Sequence, residues 1–204
     1  MSPVLAANIA VNGSFENPDI ATNTYDGVAV PGWVGVTFIF DGNGGASQPY
    51  PEAGSLGQQY ADLGNKPSRL ASYDFIVPAG QGINAISWDA TTSGGVDQTP
   101  YIVNLRDGLG NLLRPGNFIA LGGQTSIAGQ PQGDVWDTAL LPMTAYEFGP
   151  GSYRLEFFAD QINGSDLFAD NVVIDVGQAP EVPEPTSLIL LLGGSLLAIK
   201  RRRA

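Results

Sequence analysis

An antiparallel all-β sandwich, followed by a Pro-rich linker and a short C-terminal hydrophobic helix, is the fold class predicted for this 204-residue chain. Three observations predict it. Short alternating apolar and polar runs dominate residues 8–176. No stretch there keeps a sustained 3.6-residue period. The runs are punctuated by 27 Gly and 15 Pro, with Asn and Asp beside them. Alternation of period two is the signature of strands with one buried and one wet face, and two such sheets must cover each other.

Each element follows from local pattern. Tyr73, Phe75 and Val77 oppose Asp74 and Ile76, and Ile86, Trp88 and Ala90 oppose Ser87 and Asp89. Tyr101, Val103 and Leu105 alternate with Ile102, Asn104 and Arg106, then Asp107-Gly108-Leu109-Gly110 supplies turn chemistry. Gly149-Pro150-Gly151 precedes a strand with Tyr153, Leu155 and Phe157 on one face. Val172, Ile174 and Val176 close the body with Asp175 outward. Residues 55–63 fit either class, because Leu56, Tyr60 and Leu63 also share one helical face. After the body, Pro180, Pro183 and Pro185 enforce an extended linker. Residues 188–199 form an uncharged apolar run, and Lys200, Arg201, Arg202 and Arg203 end it. The boundaries are a leader remnant at 1–7, a sandwich at 8–176, a linker at 177–187 and a hydrophobic segment with basic tail at 188–204.

Composition excludes several chemistries. The chain has no Cys, so it has neither a disulfide nor a thiolate nucleophile. It has no His, which removes the imidazole base and the most common metal ligand. Twenty acids against nine bases give a net charge of −11. Four of those bases are the terminal cluster, so five bases face twenty acids before it, a balance of −15. Such a body lacks the basic footprint that nucleic acid requires.

The tail has a specific likeness. Val182-Pro183-Glu184-Pro185, the apolar run and Lys200-Arg-Arg-Arg203 resemble a PEP-CTERM sorting signal, found on exported proteins of Gram-negative bacteria that make extracellular polysaccharide. The resemblance implies an exosortase-type membrane enzyme as partner, with cleavage near Pro-Glu-Pro. It also implies a membrane-anchored precursor and a final place at the cell surface or outside the cell. The apolar run reaches only about 18 Å as a helix, short of a hydrocarbon core of about 30 Å. Met1–Ala7 lacks a basic start and an apolar core, but Leu5-Ala6-Ala7 looks like the end of a secretory leader. The expectation is that the true leader begins upstream.

The body has a likeness too. Val11-Asn-Gly-Ser-Phe-Glu16, Val30-Pro-Gly-Trp33 and Leu167-Phe-Ala-Asp-Asn-Val-Val-Ile-Asp175 resemble galactose-binding-like jelly rolls, which include many carbohydrate-binding modules. Gln59-Tyr60-Ala-Asp-Leu-Gly64 and Tyr153-Arg-Leu-Glu-Phe157 fit the same pattern. The resemblance implies a jelly-roll β-sandwich and a glycan partner such as extracellular polysaccharide. In that group a structural calcium often lies where the first and last strands meet, and Glu16 and Asp170 are the matching positions. Asp41-Gly-Asn43-Gly-Gly begins like a calcium loop but lacks the later ligands.

Sugar sites stack aromatic rings on the apolar face of a pyranose, beside hydrogen-bonding groups. Trp88 alternates in phase with Ile86 and is expected in the core, and Trp33, behind Pro31-Gly32, reads as a core plug. Trp136, flanked by Asp134 and Asp137, and Tyr50, between two prolines, are the exposed candidates. No carboxylate pair carries a hydrolase motif, so no catalytic residue is assigned. The expected function is an exported, non-enzymatic surface or matrix protein with weak glycan affinity. The alternatives are a structural matrix component with no small ligand and a carboxylate-based glycan hydrolase. A segment too short to span comfortably suits transient recognition. The mature protein is therefore expected outside the inner membrane without residues 188–204, and mass spectrometry of the protein from its native host reads both ends. An intact Arg203 in the extracellular fraction contradicts this.

Overall fold

The computed structural model describes residues 7–20, 25–36, 38–41, 59–64, 70–92, 98–121, 136–159 and 166–178. Twelve strands are defined among them: β1 Ala7–Asn8, β2 Tyr25–Asp26, β3 Trp33–Val34, β4 Phe38–Asp41, β5 Gln59–Gly64 and β6 Leu70–Val77. The second half adds β7 Gln81–Thr92, β8 Gln98–Asp107, β9 Leu112–Leu121, β10 Asp137–Leu140, β11 Gly151–Ala159 and β12 Leu167–Gln178. One sheet runs β10-β7-β12-β5-β4-β2, with β1 also on β12; the other runs β3-β6-β11-β8-β9. Neighbours pair antiparallel throughout. The all-β jelly-roll expectation is met. Residues 59–64, left open between helix and strand, are β5: Ala61 and Leu63 enter the core, whereas Tyr60 belongs to a separate cluster with Phe40 and Phe168.

Register carries the alternating pattern into packing. Tyr153 lies opposite Phe75 and Asp107, Leu155 opposite Tyr73 and Leu105, and Phe157 opposite Ala71 and Val103. The apolar members of these rows are buried. Facing them, β7 contributes Ile83, Ile86, Trp88 and Ala90, and β12 contributes Leu167, Ala169, Val172, Ile174 and Val176. Register shifts in β12 between Asp170 and Val173, and again between Asp175 and Val176, break strict alternation. Asn171, at φ 49°, takes up the extra residue, so Ala169 and Val172 both point inward.

Trp88 joins the two sheets. Its ring meets Phe118 edge-on at 4.9 Å and Phe157 at 5.3 Å, and its Nε1–H donates to Tyr101 Oη at 3.0 Å. Trp33 packs on Phe15, Tyr73 and Phe157 with centroids 5.0, 5.1 and 6.0 Å away. Both tryptophans are core residues, as the sequence predicts.

The Asn-Gly-Ser-Phe-Glu motif sews the N-terminal segment onto β12. Val172 N–H donates to Gly13 O at 2.9 Å, and a Cβ on Gly13 would stand 2.1 Å from Val172 O. Asn12 and Phe15 hold positive φ, and Asn12 Oδ1 accepts from Asn17 N–H at 3.0 Å. Phe15 is thereby delivered, fully buried, against Trp33. Ala7, placed with the leader remnant by the sequence, pairs with Val176 in β1, and β12 continues to Gln178, past the expected boundary at 176. No helix among the described residues is long and apolar enough to cross a membrane. The linker from residue 179 and the expected C-terminal helix lie outside the described residues.

Two outcomes follow. Gly13→Ala should lower stability by about 1–3 kcal/mol, since the added methyl meets backbone that cannot yield; a denaturant midpoint unchanged from wild type contradicts the packing. Burial pushes the Tyr101 hydroxyl up to about 12 from 10.0, with Asp137 adding to the rise and the Trp88 hydrogen bond opposing it. An acid raised in the folded state contributes stability that is full below pH 10 and is lost as pH climbs towards 12. Stability measured across that window should fall, and Tyr101→Phe should shrink the fall while costing about 1–3 kcal/mol at neutral pH through the orphaned indole N–H.

Candidate functional site

Outward residues of the five-stranded sheet build a groove. Asp74 and Ile76 come from β6, Ser152 and Arg154 from β11, and Arg106 from β8. The hairpin between β8 and β9 forms one rim with Gly108, Leu109 and Gly110, and the groove encloses about 580 Å³.

Register sets its charges in a row. Arg154 stands directly opposite Asp74 on one side and Arg106 on the other. Its guanidinium grips Asp74 with both prongs, Nε–Oδ1 at 2.6 Å and Nη2–Oδ2 at 3.0 Å. Arg106 Nε donates to Glu156 Oε2 at 2.6 Å, and its Nη1 donates to Gly110 O at 3.0 Å. Glu156 is buried between Ser72 and Asn104 on the neighbouring strands. The rim is held by Asp107, which accepts from Leu109 N–H at 2.9 Å, Asn111 N–H at 2.8 Å and Asn111 Nδ2 at 2.8 Å. Gly110, at φ 87°, lets the hairpin close beneath Arg106.

This geometry fixes proton occupancy. The Arg154 hydrogen bonds hold Asp74 below the usual carboxylate range. The Asn111 amide and three backbone N–H groups do the same for Asp107. Both stay ionised acceptors at neutral pH, which suits hydroxyl recognition and not proton donation. Exposed Ile76 and Leu109 add apolar surface beside the polar row.

The aromatic candidates lie elsewhere. Trp136 is half-buried, and its ring meets Tyr60 edge-on at 5.6 Å. Tyr60 in turn stacks on Phe40 at 5.5 Å and meets Phe168 edge-on at 5.6 Å. This cluster belongs to the seven-stranded sheet, apart from the main core. Trp136, expected as an exposed platform, is partly buried and packs against this aromatic cluster. Asp137 is exposed on β10, opposite Ala90, and does not line the groove. Asp134 and Tyr50 lie outside the described residues, as does the loop from residue 42 onward.

The calcium positions meet a different chemistry. Glu16 Oε1 already accepts the N–H of Gln59 at 2.8 Å. The carbonyl oxygens of Phe15 and Pro18 accept both protons of the Gln59 amide, at 3.1 and 3.2 Å. Asp170 is buried in β12, accepts Asn171 N–H at 2.7 Å and faces Asp89 across β7. No group of three or more acidic side chains arranged for a metal occurs among the described residues. Calcium needs bare oxygens, and an amide nitrogen stands among these, so the donor set around Glu16 does not fit the ion.

Sequence reasoning missed the groove because Arg106, Arg154 and Asp74 carry no local motif. Their signal was positional: two of the five bases in the body fall on outward strand positions.

The end of the chain is matched by a family model over residues 181–204. Those residues are a PEP-CTERM protein-sorting motif. A PEP-CTERM signal implies export by way of a membrane-anchored precursor. No curated protein matches the chain. Solved structures resemble its body. A cyclase from Fischerella sp. TAU aligns at TM-score 0.57 and 17% identity over 87% of this chain and 100% of that one. The cyclase in complex with 4-(1H-indol-3-yl)butan-2-one aligns at 0.56 and 17%, over 86% and 100%. The module TmCBM61, in complex with β-1,4-galactotriose, aligns at 0.50 and 13%, over 85% and 99%. At these identities the likeness is one of fold, a jelly roll shared by an enzyme and a sugar binder.

Proposed function

We propose that this PEP-CTERM protein is a non-enzymatic component of the cell surface or extracellular matrix, processed by an exosortase-type enzyme, and that its groove holds a neutral glycan chain. The observation that carries the glycan assignment is the Arg154–Asp74 fork lying open in the groove beside Ile76 and Leu109. A sugar hydroxyl can donate to the carboxylate and accept from the guanidinium at the same place, while ring C–H groups cover the two aliphatic side chains. The sugar-bound module with the same fold supports the reading by analogy.

Charge selects the polymer. The segment before the basic tail holds twenty acids and five bases. All three of those bases within the described residues, Arg106, Arg114 and Arg154, are ion-paired. A uronate polymer would meet net repulsion, whereas a neutral chain would not.

The non-enzymatic reading rests on the groove's proton state. A glycosidase needs one carboxyl that holds a proton near neutral pH and another that does not. Asp74 and Asp107 are both pushed towards the ionised form.

Each net hydrogen bond contributes about 0.5–1.5 kcal/mol, so a single sugar binds weakly and retention comes from many copies along one polymer. The test is retention on the host's own polysaccharide, on a neutral glycan and on a uronate polymer. Arg154→Ala and Asp74→Ala should each cut retention several-fold, with melting unchanged, because an exposed ion pair contributes only about 0–1 kcal/mol. Loss on Trp136→Ala alone would move the site to the seven-stranded sheet. Equal retention by all variants would leave a structural component without a small ligand.

A further inference from the structure

The segment from Phe15 to Ile20 is held at the first residue of β5 by one side chain. Gln59 is fully buried and spends its whole hydrogen-bonding capacity there. Its backbone N–H donates to Glu16 Oε1, and its Nε2 donates to Phe15 O and Pro18 O. Its Oε1 accepts from Ile20 N–H at 2.9 Å. That last bond fixes the orientation of the amide, since a backbone N–H can only donate. The two Nε2 protons must therefore point at the carbonyls.

The surroundings are negative. Glu16 and Asp19 lie on the segment, and Asp41 is the β4 residue directly opposite Gln59. Asp41 is 6% exposed, and its Oδ1 has no hydrogen-bond partner. Burial raises its proton affinity, and the charge of Asp19 raises it further. A cluster of carbonyl oxygens and carboxylates at a buried strand end needs positive charge, and the amide NH2 supplies it as partial charge.

We infer that Gln59 is an internal substitute for a cation: it closes the N-terminal segment onto β5 without metal, and replacing its nitrogen with oxygen would turn the same cluster into a calcium site. The exchange Gln59→Glu keeps the shape of the side chain and removes both donated protons. Three oxygens, from Phe15, Pro18 and the new carboxylate, then face one another next to Glu16. Like charges and unpaired carbonyls would repel until a hard divalent ion occupied the space between them. The inference is independent of glycan binding, so failure of one leaves the other standing.

The experiment uses the full chain and three measurements. Metal analysis of purified wild-type protein should find no stoichiometric calcium, and its melting curve should be the same in chelator and in millimolar calcium. Stoichiometric calcium, or a melt that drops in chelator, overturns the inference. Gln59→Glu should melt several degrees below wild type in chelator and recover with calcium. A Gln59→Glu protein that ignores calcium, or that fails to fold with calcium present, also overturns it. Gln59→Ala, which removes the clip without adding oxygen, should melt lower than wild type to the same extent with and without calcium. A calcium rescue of Gln59→Ala would show that Glu16 and its neighbours already bind the ion and would overturn the substitute role.

Discussion

The sandwich depends on one cross-sheet contact, the Trp88 indole of β7 seated among Phe118, Phe157 and Tyr101 of the opposite sheet. Two twisted sheets with flat aliphatic faces can slide on each other. A bulky ring with one polar edge cannot, because its N–H must meet an acceptor once water is gone. Tyr101 provides that acceptor, and this single bond fixes which part of β8 faces which part of β7. From there register carries the constraint outward: Tyr101 pairs across β8–β11 with Ala159, and Leu105 with Leu155, which also lies opposite Tyr73 of β6. The outward residues that alternate with this core, Arg106, Arg154 and Asp74, are aligned by the same pairing. The groove is thus a consequence of how the core locks.

Much of that was legible in the sequence. Tyr73–Val77, Tyr101–Leu105 and Tyr153–Phe157 alternate cleanly because each belongs to a sheet with one wet face, and their inward members are those the pattern marks. Residues 59–64 were ambiguous for a physical reason. Both faces of β5 are buried, Ala61 and Leu63 in the main core and Tyr60 in an outer aromatic cluster, so polarity no longer reports direction. The irregularity in β12 was hidden as well. Val172, Ile174 and Val176 look like one continuous phase with what precedes them, yet Asn171 is inserted between two phases at positive φ.

The site was less legible than the fold. Gly13 stood out as part of a motif, but its cause is a carbonyl 2.1 Å from the absent Cβ, and that carbonyl belongs to Val172, far away in sequence. Trp136 between two acids reads as a ligand platform, and the structure sets its half-buried ring edge-on to Tyr60, a contact that local sequence does not show. Arg154 and Asp74 meet only through the β6–β11 register, which local composition does not encode. Gln59 belongs to a short sequence pattern, but its role arises from carbonyls that the Phe15–Pro18 segment brings to it.

Jelly rolls separate scaffold from chemistry, as the likeness to both a cyclase and a sugar-binding module illustrates. In the groove of this chain the arginines are paired with carboxylates. At the strand end the Gln59 amide likewise donates to two backbone carbonyls. Paired groups cost little to keep dry, and on the reading proposed above they favour shallow, reversible contact. On the glycan reading proposed above, retention would grow with the number of grooves engaged along one polymer, not with the strength of any single groove. A chain without Cys has few groups whose state changes with redox supply, and the three arginines among its described residues are ion-paired. Its residual sensitivity lies at high pH, in the buried Tyr101 hydroxyl that links the two sheets.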